Sequence, residues 1–381
     1  MDRRKLKVFE AFAGIGAQVK ALERIGIDYE VVGISEWFID ALHCYDILNC
    51  NQDEIVEVPS YEKQIEYLSK FEFSKDSMHP CSLNGLSKKE IEKLYIVNHR
   101  CKNYGSITKI KGTDLPDIDL LVYSFPCQDL STGGKCQGMG KGSGTRSGLL
   151  WEVERILNEL NKENRLPEYL LMENVTTITA DSNIKDLNAW LSFLESLGYK
   201  NDNCTKLNAV DFGIPQDRTR AFIVSHLGRK LNTESKIKIN RKQYSIADYI
   251  KYDYTNPIYK AEADEAQLNR TPSREQMWEI NGMDINETTI IRTITCNMDR
   301  THCAGLFLYN GAKGDTYRRP TIREAFLLMG FTEAEYEQTL KLGFSYRKMN
   351  KLIGNSIVVD VLAAVFRAMF EEELVDDNTN Q

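Results

Sequence analysis

The sequence contains no Cys-x-x-Cys pair, and its nine cysteines are an odd number at irregular spacings. That argues against a cysteine-paired zinc site and against a disulfide framework. The five histidines are scattered. The nearest approach to a ligand cluster, Cys296 with His302 and Cys303, lacks a paired motif, so no metal is expected. No apolar run is long enough to cross a bilayer. The basic start MDRRKLKVFEAF lacks the central apolar segment of a signal peptide. A cytoplasmic protein without a membrane partner is therefore expected. A third glycine is missing from the Gly14 and Gly16 turn, since Val19 stands where it would fall, which argues against a dinucleotide fingerprint.

Acidic residues are absent between Asp129 and Glu152, in a chain whose net charge is -7. The stretch instead carries Lys135, Lys141 and Arg146 among the seven glycines of GGKCQGMGKGSGTRSG. A glycine-rich loop of one sign suits closure over an anion, whatever the global charge. A second basic group, Arg318 and Arg319 with Arg323, lies downstream.

With 381 residues, 42% of them apolar and 27% charged, the chain suits two soluble domains, or one large domain with an inserted smaller one. Short apolar runs at Lys7 to Phe12, Val31 to Ser35, Leu120 to Phe125, Tyr169 to Met172 and Ala221 to Ser225 predict strands. Leu149, Leu150, Val153, Ile156, Leu157 and Leu160 recur at helical spacing, as do Leu187, Trp190, Leu191, Leu194 and Leu197. The repeated βαβ pattern predicts a parallel sheet flanked by helices. The polar stretch from about 50 to 105 reads as an insertion without assignable chemistry. The βα rhythm is lost from about 229 to 317, which predicts a second, smaller domain. Val358, Val361, Leu362, Val365, Phe366 and Met369 predict a terminal helix returning to the first domain. The resulting division is a first domain over 1–230, a small domain over 231–352 and the returning helix over 353–381.

Ligands of open α/β sheets bind beyond the carboxyl ends of the strands. Four predicted strands end in chemically capable residues: FAGIGA, then Glu36 and Trp37, then Pro126 and Cys127, then Glu173 and Asn174. The sheet itself would bring these together. Gly14 and Gly16 allow close backbone approach at a helix start, and Glu36 is placed to accept ribose hydroxyls. Free cysteine is often simply buried, but Cys127 follows a central strand beside lysine and arginine, where a lowered thiol pKa is expected. Pro126 limits the approach of the chain. Partial burial of Glu173 would raise its pKa and suit it to donate a proton, with Asn174 placed to orient it. In QDRTR, Arg218 and Arg220 share a face if the segment is extended, which makes a clamp for an acidic group or a carbonyl.

Taken in order, FAGIG, SFPCQDLS, MENV, QDRTR, RPTIREAFLLMGF and GNSIVVDV resemble the motifs of the DNA cytosine-5 methyltransferase family, and GTRSGLLWEVERIL resembles the one after its mobile loop. Order and spacing agree over most of the chain. The wording is similar to CpG-methylating bacterial members, although TITCNMDRTHCAG differs from their recognition segment and no target sequence is carried over. Ser106 precedes Ile107 where the family often has an aspartate, and Thr293 with Ile294 stands for its Thr-Leu pair.

The resemblance implies an S-adenosylmethionine-dependent methyltransferase fold: an α/β, Rossmann-like, mostly parallel sheet with helices on both faces, plus a smaller DNA target-recognition domain. It implies that Cys127 adds to carbon 6 of a flipped-out cytosine, so that carbon 5 can take a methyl group from S-adenosyl-L-methionine, leaving S-adenosyl-L-homocysteine. Glu173 would bond ring nitrogen 3 and the exocyclic amine, and Arg220, supported by Arg218, the carbonyl oxygen. Phe12, Gly14, Ile15, Gly16, Glu36, Trp37, Ile107, Pro126, Leu149 and Asn355 would form the cofactor pocket. Ser131, Lys135, Lys141, Arg146, Gln216, Thr293 and Ile294 would contact double-stranded DNA. A monomer is expected, and a cognate restriction endonuclease is a partner the resemblance allows. The alternatives weighed are a tRNA cytosine-5 methyltransferase, a non-catalytic DNA-binding regulator on the same fold and, more remotely, an NAD oxidoreductase.

Overall fold

The computed structural model describes residues 4–127, 130, 138–142, 144–239, 244–283, 288–296, 298 and 305–374. Strand β1 (Leu6–Ala11) is followed by α1 (Ala17–Ile25), which starts after Gly16 and stops at Gly26, both in the left-handed region. The chain continues through β2 (Tyr29–Ser35), α2 (Ile39–Asn49), α3 (Tyr61–Leu68), α4 (Lys88–Arg100), β3 (Leu120–Tyr123), α5 (Leu150–Lys162), β4 (Tyr169–Val175) and α6 (Asp181–Ser196). It then forms β5 (Tyr199–Asn201), β6 (Thr205–Asn208), β7 (Gln216–Asp217) and β8 (Thr219–Leu227). The sheet order is β2-β1-β3-β4-β8-β5, with β6 also paired to β8. The first four strands are parallel, as the βαβ rhythm predicts, and β8 runs antiparallel to both β4 and β5.

Strand alternation sends side chains of the sheet to apolar clusters on its two faces. Phe9 and Ala11 join Leu121, Tyr123, Leu170 and Met172 beneath α5 and α6. Ile34, paired in register with Glu10 and therefore on the other face, joins Val19, Leu42 and Tyr45. Leu68, Phe73, Ile91, Leu94, Val97 and Cys101 complete that second cluster. The stretch from 50 to 105 is thus not an insertion but half of the core on one face. Its helices bury one narrow stripe each, which a polar average hides; α4 opens with a reciprocal Ser87 and Glu90 capping box.

Two compact units emerge. The first comprises Met1–Leu207, Arg220–Ile237 and Val365–Gln381, and the second Asn208–Thr219 and Lys238–Ala364. The division departs from the predicted one at both ends: the segment before Arg220 goes with the second unit, and the terminal helix Val359–Met369 changes unit at Val365. Its final turn does belong to the first unit, where Phe370 meets the Tyr169 ring at 5.1 Å. Among the described residues, Tyr346–Met369 has the length and apolarity of a membrane span, and 83% of its 18-residue apolar window is buried inside the protein.

In the second unit β12 (Gly314–Arg318), β11 (Leu306–Gly311) and β9 (Gly282–Met283) form one small sheet, while β10 (Ile291–Arg292) pairs with β7. The downstream basic group is neutralised internally. Arg318 and Glu324 are both fully buried and bonded through two contacts of 2.8 and 2.9 Å. Arg323 meets Glu262 and Glu333. Arg319 lies 4.0 Å from the centre of the Tyr346 ring.

Candidate active site

Register aligns the four strand endings. Ala11 is paired with Ser35 and with Tyr123, and Tyr123 with Met172. Phe12, Glu36, Ser124 and Glu173 therefore follow one another along a single sheet edge, as the strand pattern predicts. Phe12 has φ 59 and Gly14 φ 59, a conformation that is costly for phenylalanine and is stored at sites where the surroundings impose it.

The two glycines of this loop differ in their reason for being glycine. A side chain at Gly14 would meet nothing within 4 Å, so its backbone faces open space. At Gly16 a Cβ would lie 2.3 Å from Asn49 Nδ2 and 2.8 Å from Tyr45. Packing against α2, rather than ligand approach, therefore fixes Gly16. Buried Ile15 presents its carbonyl to Asn49 Nδ2 at 2.9 Å.

Glu36 is anchored from several sides. Gly14 N donates to its Oε2 at 2.9 Å, and Phe38 N to its Oε1 at 2.7 Å. Asn103, in the stretch that carried no chemistry in sequence, accepts from Glu36 N at 2.9 Å and donates to Glu36 O at 3.0 Å. A carboxylate offers about four acceptor positions, and with the Trp37 amide also bonded, capacity remains for a ligand hydroxyl. Trp37 beside it is half-buried, and buried Ile107 opens the next turn after Ser106, whose hydroxyl meets Thr108 Oγ1 at 2.9 Å.

Burial pushes the Glu36 carboxyl up to about 7 against the opposing pull of the Phe38 and Gly14 amides. Burial likewise pushes Glu10, on the adjoining strand and bonded to Tyr45 OH at 3.4 Å, up to about 8. Below the ordinary glutamate value of 4.5 both folded and unfolded chains hold these protons. As pH rises, the unfolded chain ionises first, so this stabilisation drains away until the folded carboxyls ionise near 7 and 8. The Glu10→Gln variant should lose roughly 2–5 kcal/mol less stability than the parent across that window. Urea unfolding at pH 4.5 and pH 8.5 measures this, and equal losses in both proteins would show that Glu10 does not hold its proton.

The loop bearing Cys127 is braced by its neighbours. Asn174 Nδ2 donates to Phe125 O at 3.0 Å, and Ser147 Oγ to Pro126 O at 2.7 Å. Leu130 N donates to Cys127 O at 3.0 Å, and Thr177 Oγ1 to Leu130 O at 2.8 Å. Asn174 therefore orients the cysteine loop; its remaining side-chain oxygen accepts from Val175 N, where sequence reasoning had it orient Glu173. Cys127 and Pro126 are half-buried, and Leu149 packs on the first cluster.

Glu173 meets the guanidinium of Arg220, whose Nε lies 3.6 Å from Oε1. Register explains the meeting: Arg220 is paired with Val175, two residues beyond Glu173 and on its face. Arg218 does not share this face. It falls in the break between β7 and β8, within the second unit, and bonds the carbonyls of Ile294, Gly354 and Ser356 at 2.7, 3.3 and 2.7 Å. The clamp of two arginines predicted from their alternation is thus replaced by one arginine at Glu173 and one bonding backbone.

Two of the expected DNA contacts are corrected. Gln216 is fully buried, donates to Leu328 O at 2.6 Å and accepts from Ile294 N at 2.9 Å. With both ends of its amide committed and Ile294 itself buried, neither side chain is available to a duplex. Thr293, half-buried, donates to Asp217 O. Asn355 lies in the second unit, accepting from Cys296 Sγ at 2.8 Å. Lys141 pairs with Glu154 at 2.8 Å beside the Trp151 ring, and Arg146 NH1 meets Met78 Sδ at 3.1 Å. Ser131 and Lys135 lie outside the described residues, as do His302 and Cys303. Sequence reasoning missed Asn49, Asn103 and Ser147, whose side chains bond backbone groups of the two loops.

The family description "C-5 cytosine-specific DNA methylase" matches residues 75–371. The chain is 36% identical to the orphan methyltransferase M.SssI of Spiroplasma monobiae, over 95% of this chain and 96% of that protein. It is 33% identical to the type II methyltransferase M2.ScrFI of Lactococcus lactis subsp. cremoris, over 97% and 100% of the two chains. Among solved structures, the S. pombe Dnmt2 methyltransferase shares the fold with a TM-score of 0.63 at 18% identity, covering 97% of this chain and 99% of that one.

Proposed function

The chain belongs to the C-5 cytosine-specific DNA methylase family, and from that premise we propose that it methylates cytosine in duplex DNA through a covalent bond from Cys127. The observation that carries this reading is the pairing of Glu173 with Arg220 on the sheet edge from which the braced Cys127 loop emerges.

Pyrimidine carbon 5 is a weak nucleophile on its own. Addition of the Cys127 sulfur to carbon 6 breaks the ring conjugation and leaves carbon 5 electron-rich. Glu173 bonds ring nitrogen 3 and the exocyclic amine, and Arg220 the carbonyl oxygen, so that charge shifting onto the ring meets fixed partners. After carbon 5 is methylated, a base such as water takes its proton, the sulfur is expelled as thiolate and the ring is restored. A base must leave the helix to reach such a pocket.

S-adenosylmethionine, on which this family depends, supplies an electrophilic methyl group when bound. The residues fit it: open space at Gly14 admits a ligand against the backbone, and Glu36 keeps acceptor capacity for a ribose. Phe12, Ile15, Trp37, Ile107, Pro126 and Leu149 are assigned to the same pocket, with Gly16 setting the packing of the loop. Lys135, Lys141, Arg146 and Ser131 are assigned to the duplex, whose phosphates a local cluster of cations can hold despite the net charge of -7. Monomeric action in the cytoplasm completes the reading. One relative is named an orphan methyltransferase and another a type II enzyme, so an accompanying endonuclease is no requirement of the reaction.

Incubation with the cofactor and DNA containing 5-fluorocytosine tests the proposal, because fluorine cannot leave as a proton does. A protein–DNA adduct resistant to denaturation is the expected result. Transfer to tRNA without any adduct on DNA would overturn it in favour of the RNA reading. The Glu173→Gln variant should lose about 10²- to 10³-fold in single-turnover rate with cofactor affinity unchanged; a loss of cofactor affinity instead would place Glu173 outside the chemistry.

A further inference from the structure

We propose that Cys50 and Cys101 form a dithiol site that low-molecular-weight disulfides close, and that its closure weakens cofactor binding. The two residues cap α2 and α4: Cys50 N donates to Asp46 O and Cys101 N to Val97 O, each at 3.0 Å. Two helix ends thus bring their sulfurs to 3.4 Å, with Cys50 half-buried and Cys101 buried. Asp46 adds a carboxylate, and the three ligand atoms lie within 4.8 Å of one another. A cation is not the occupant these groups select, because Arg100 NH1 already bonds both Asp46 oxygens at 3.0 and 3.1 Å. What remains is a pair of thiols in contact, in a protein with no other described role for either.

The reaction balances with an organic disulfide as oxidant. The Cys50 thiolate attacks one sulfur of the disulfide and expels the other as a thiolate, which takes up the proton that Cys50 lost. The Cys101 sulfur then attacks Cys50, expels the second small thiol and gives up its own proton to it. Two protein thiols are oxidised and one small disulfide is reduced to two thiols. Access sets the order, since only Cys50 is partly exposed; burial also raises the Cys101 thiol pKa well above the ordinary range. A disulfide needs about 2.05 Å between sulfurs, so the pair must close by about 1.4 Å from 3.4 Å.

That movement acts on residues that hold the cofactor loop. Asn49, next to Cys50, donates to Ile15 O at 2.9 Å. Asn103, two residues after Cys101, bonds the Glu36 peptide on both sides at 2.9 and 3.0 Å. Drawing the two helix ends together pulls both asparagines from the positions in which these bonds are made. The coupling rests on the cofactor-loop reading above, whereas closure of the dithiol does not.

The test uses the full chain carrying Cys127→Ser, so that the proposed nucleophile cannot react, treated with oxidised glutathione. Peptide mass spectrometry should find Cys50 linked to Cys101. Calorimetry with S-adenosylmethionine should show affinity reduced about tenfold and restored by dithiothreitol. Adding Cys50→Ser should abolish both the link and the loss while leaving affinity at the reduced parent's level. Absence of the linked peptide would overturn the dithiol site. A link with unchanged affinity, or a loss that persists in the Cys50→Ser protein, would overturn the coupling. Failure of the reduced protein to bind the cofactor at all would sink the cofactor-loop reading and the coupling together, with the linked peptide still deciding the dithiol by itself.

Discussion

Replacing Cys127 by alanine is expected to lower turnover by at least about four orders of magnitude, because the step that activates carbon 5 then has no substitute. Among the described residues of this edge no other group is placed to add to carbon 6: Glu173 and Arg220 are paired with each other, and Ser124, whose hydroxyl is buried, precedes Phe125 in the loop. Removing one sulfur leaves the loop bonds from Asn174 and Ser147 intact, since both go to backbone carbonyls. The variant should therefore fold, bind S-adenosylmethionine as the parent does, and form no adduct with fluorocytosine DNA. Tritium transfer from labelled cofactor measures the loss. A fall of less than tenfold would mean that the chemistry proceeds without the covalent bond, and the mechanism would have to be abandoned.

The Glu324→Ala variant is expected to destabilise the second unit by about 3–5 kcal/mol, the usual cost of orphaning a buried charge. Arg318 is fully buried, with the Phe307 and Tyr254 rings 5.1 and 5.8 Å from its guanidinium carbon. Without Glu324 it keeps only Tyr254 OH and the Arg319 carbonyl. Alanine also removes acceptors from Thr321 N and Lys251 N, each bonded at 2.7 Å. Replacing both charges together, Arg318→Met with Glu324→Leu, should recover much of the loss, because two apolar groups leave no charge to orphan. Urea unfolding decides: a cost under about 1 kcal/mol for the single variant would show that solvent reaches the guanidinium.

The strand endings were legible because two signals coincide there. A short, nearly continuous apolar run marks each strand, and the residue after the run is one with chemistry, as in Glu36 and Glu173. The alternation of Gln216, Arg218 and Arg220 misled because it presumes unbroken extended backbone, whereas β7 stops at Asp217 and β8 begins at Thr219. Counting charges also could not show that Arg318 and Arg323 are neutralised internally. The partner Glu262 lies 61 residues before Arg323, and no local pattern reports such a pairing. Asn49, Asn103 and Ser147 were invisible because a side chain that bonds distant backbone leaves no constraint on neighbouring sequence.

The bonds to consecutive carbonyls at Phe125 and Pro126 have a kinetic consequence. The peptide entering Cys127 is fixed before any base arrives, so the sulfur has little motion left to lose on meeting the ring. Slow phases of a catalytic cycle then belong to extrusion of the base, which gives no burst, or to release of methylated DNA, which gives a pre-steady-state burst of one methyl group per protein.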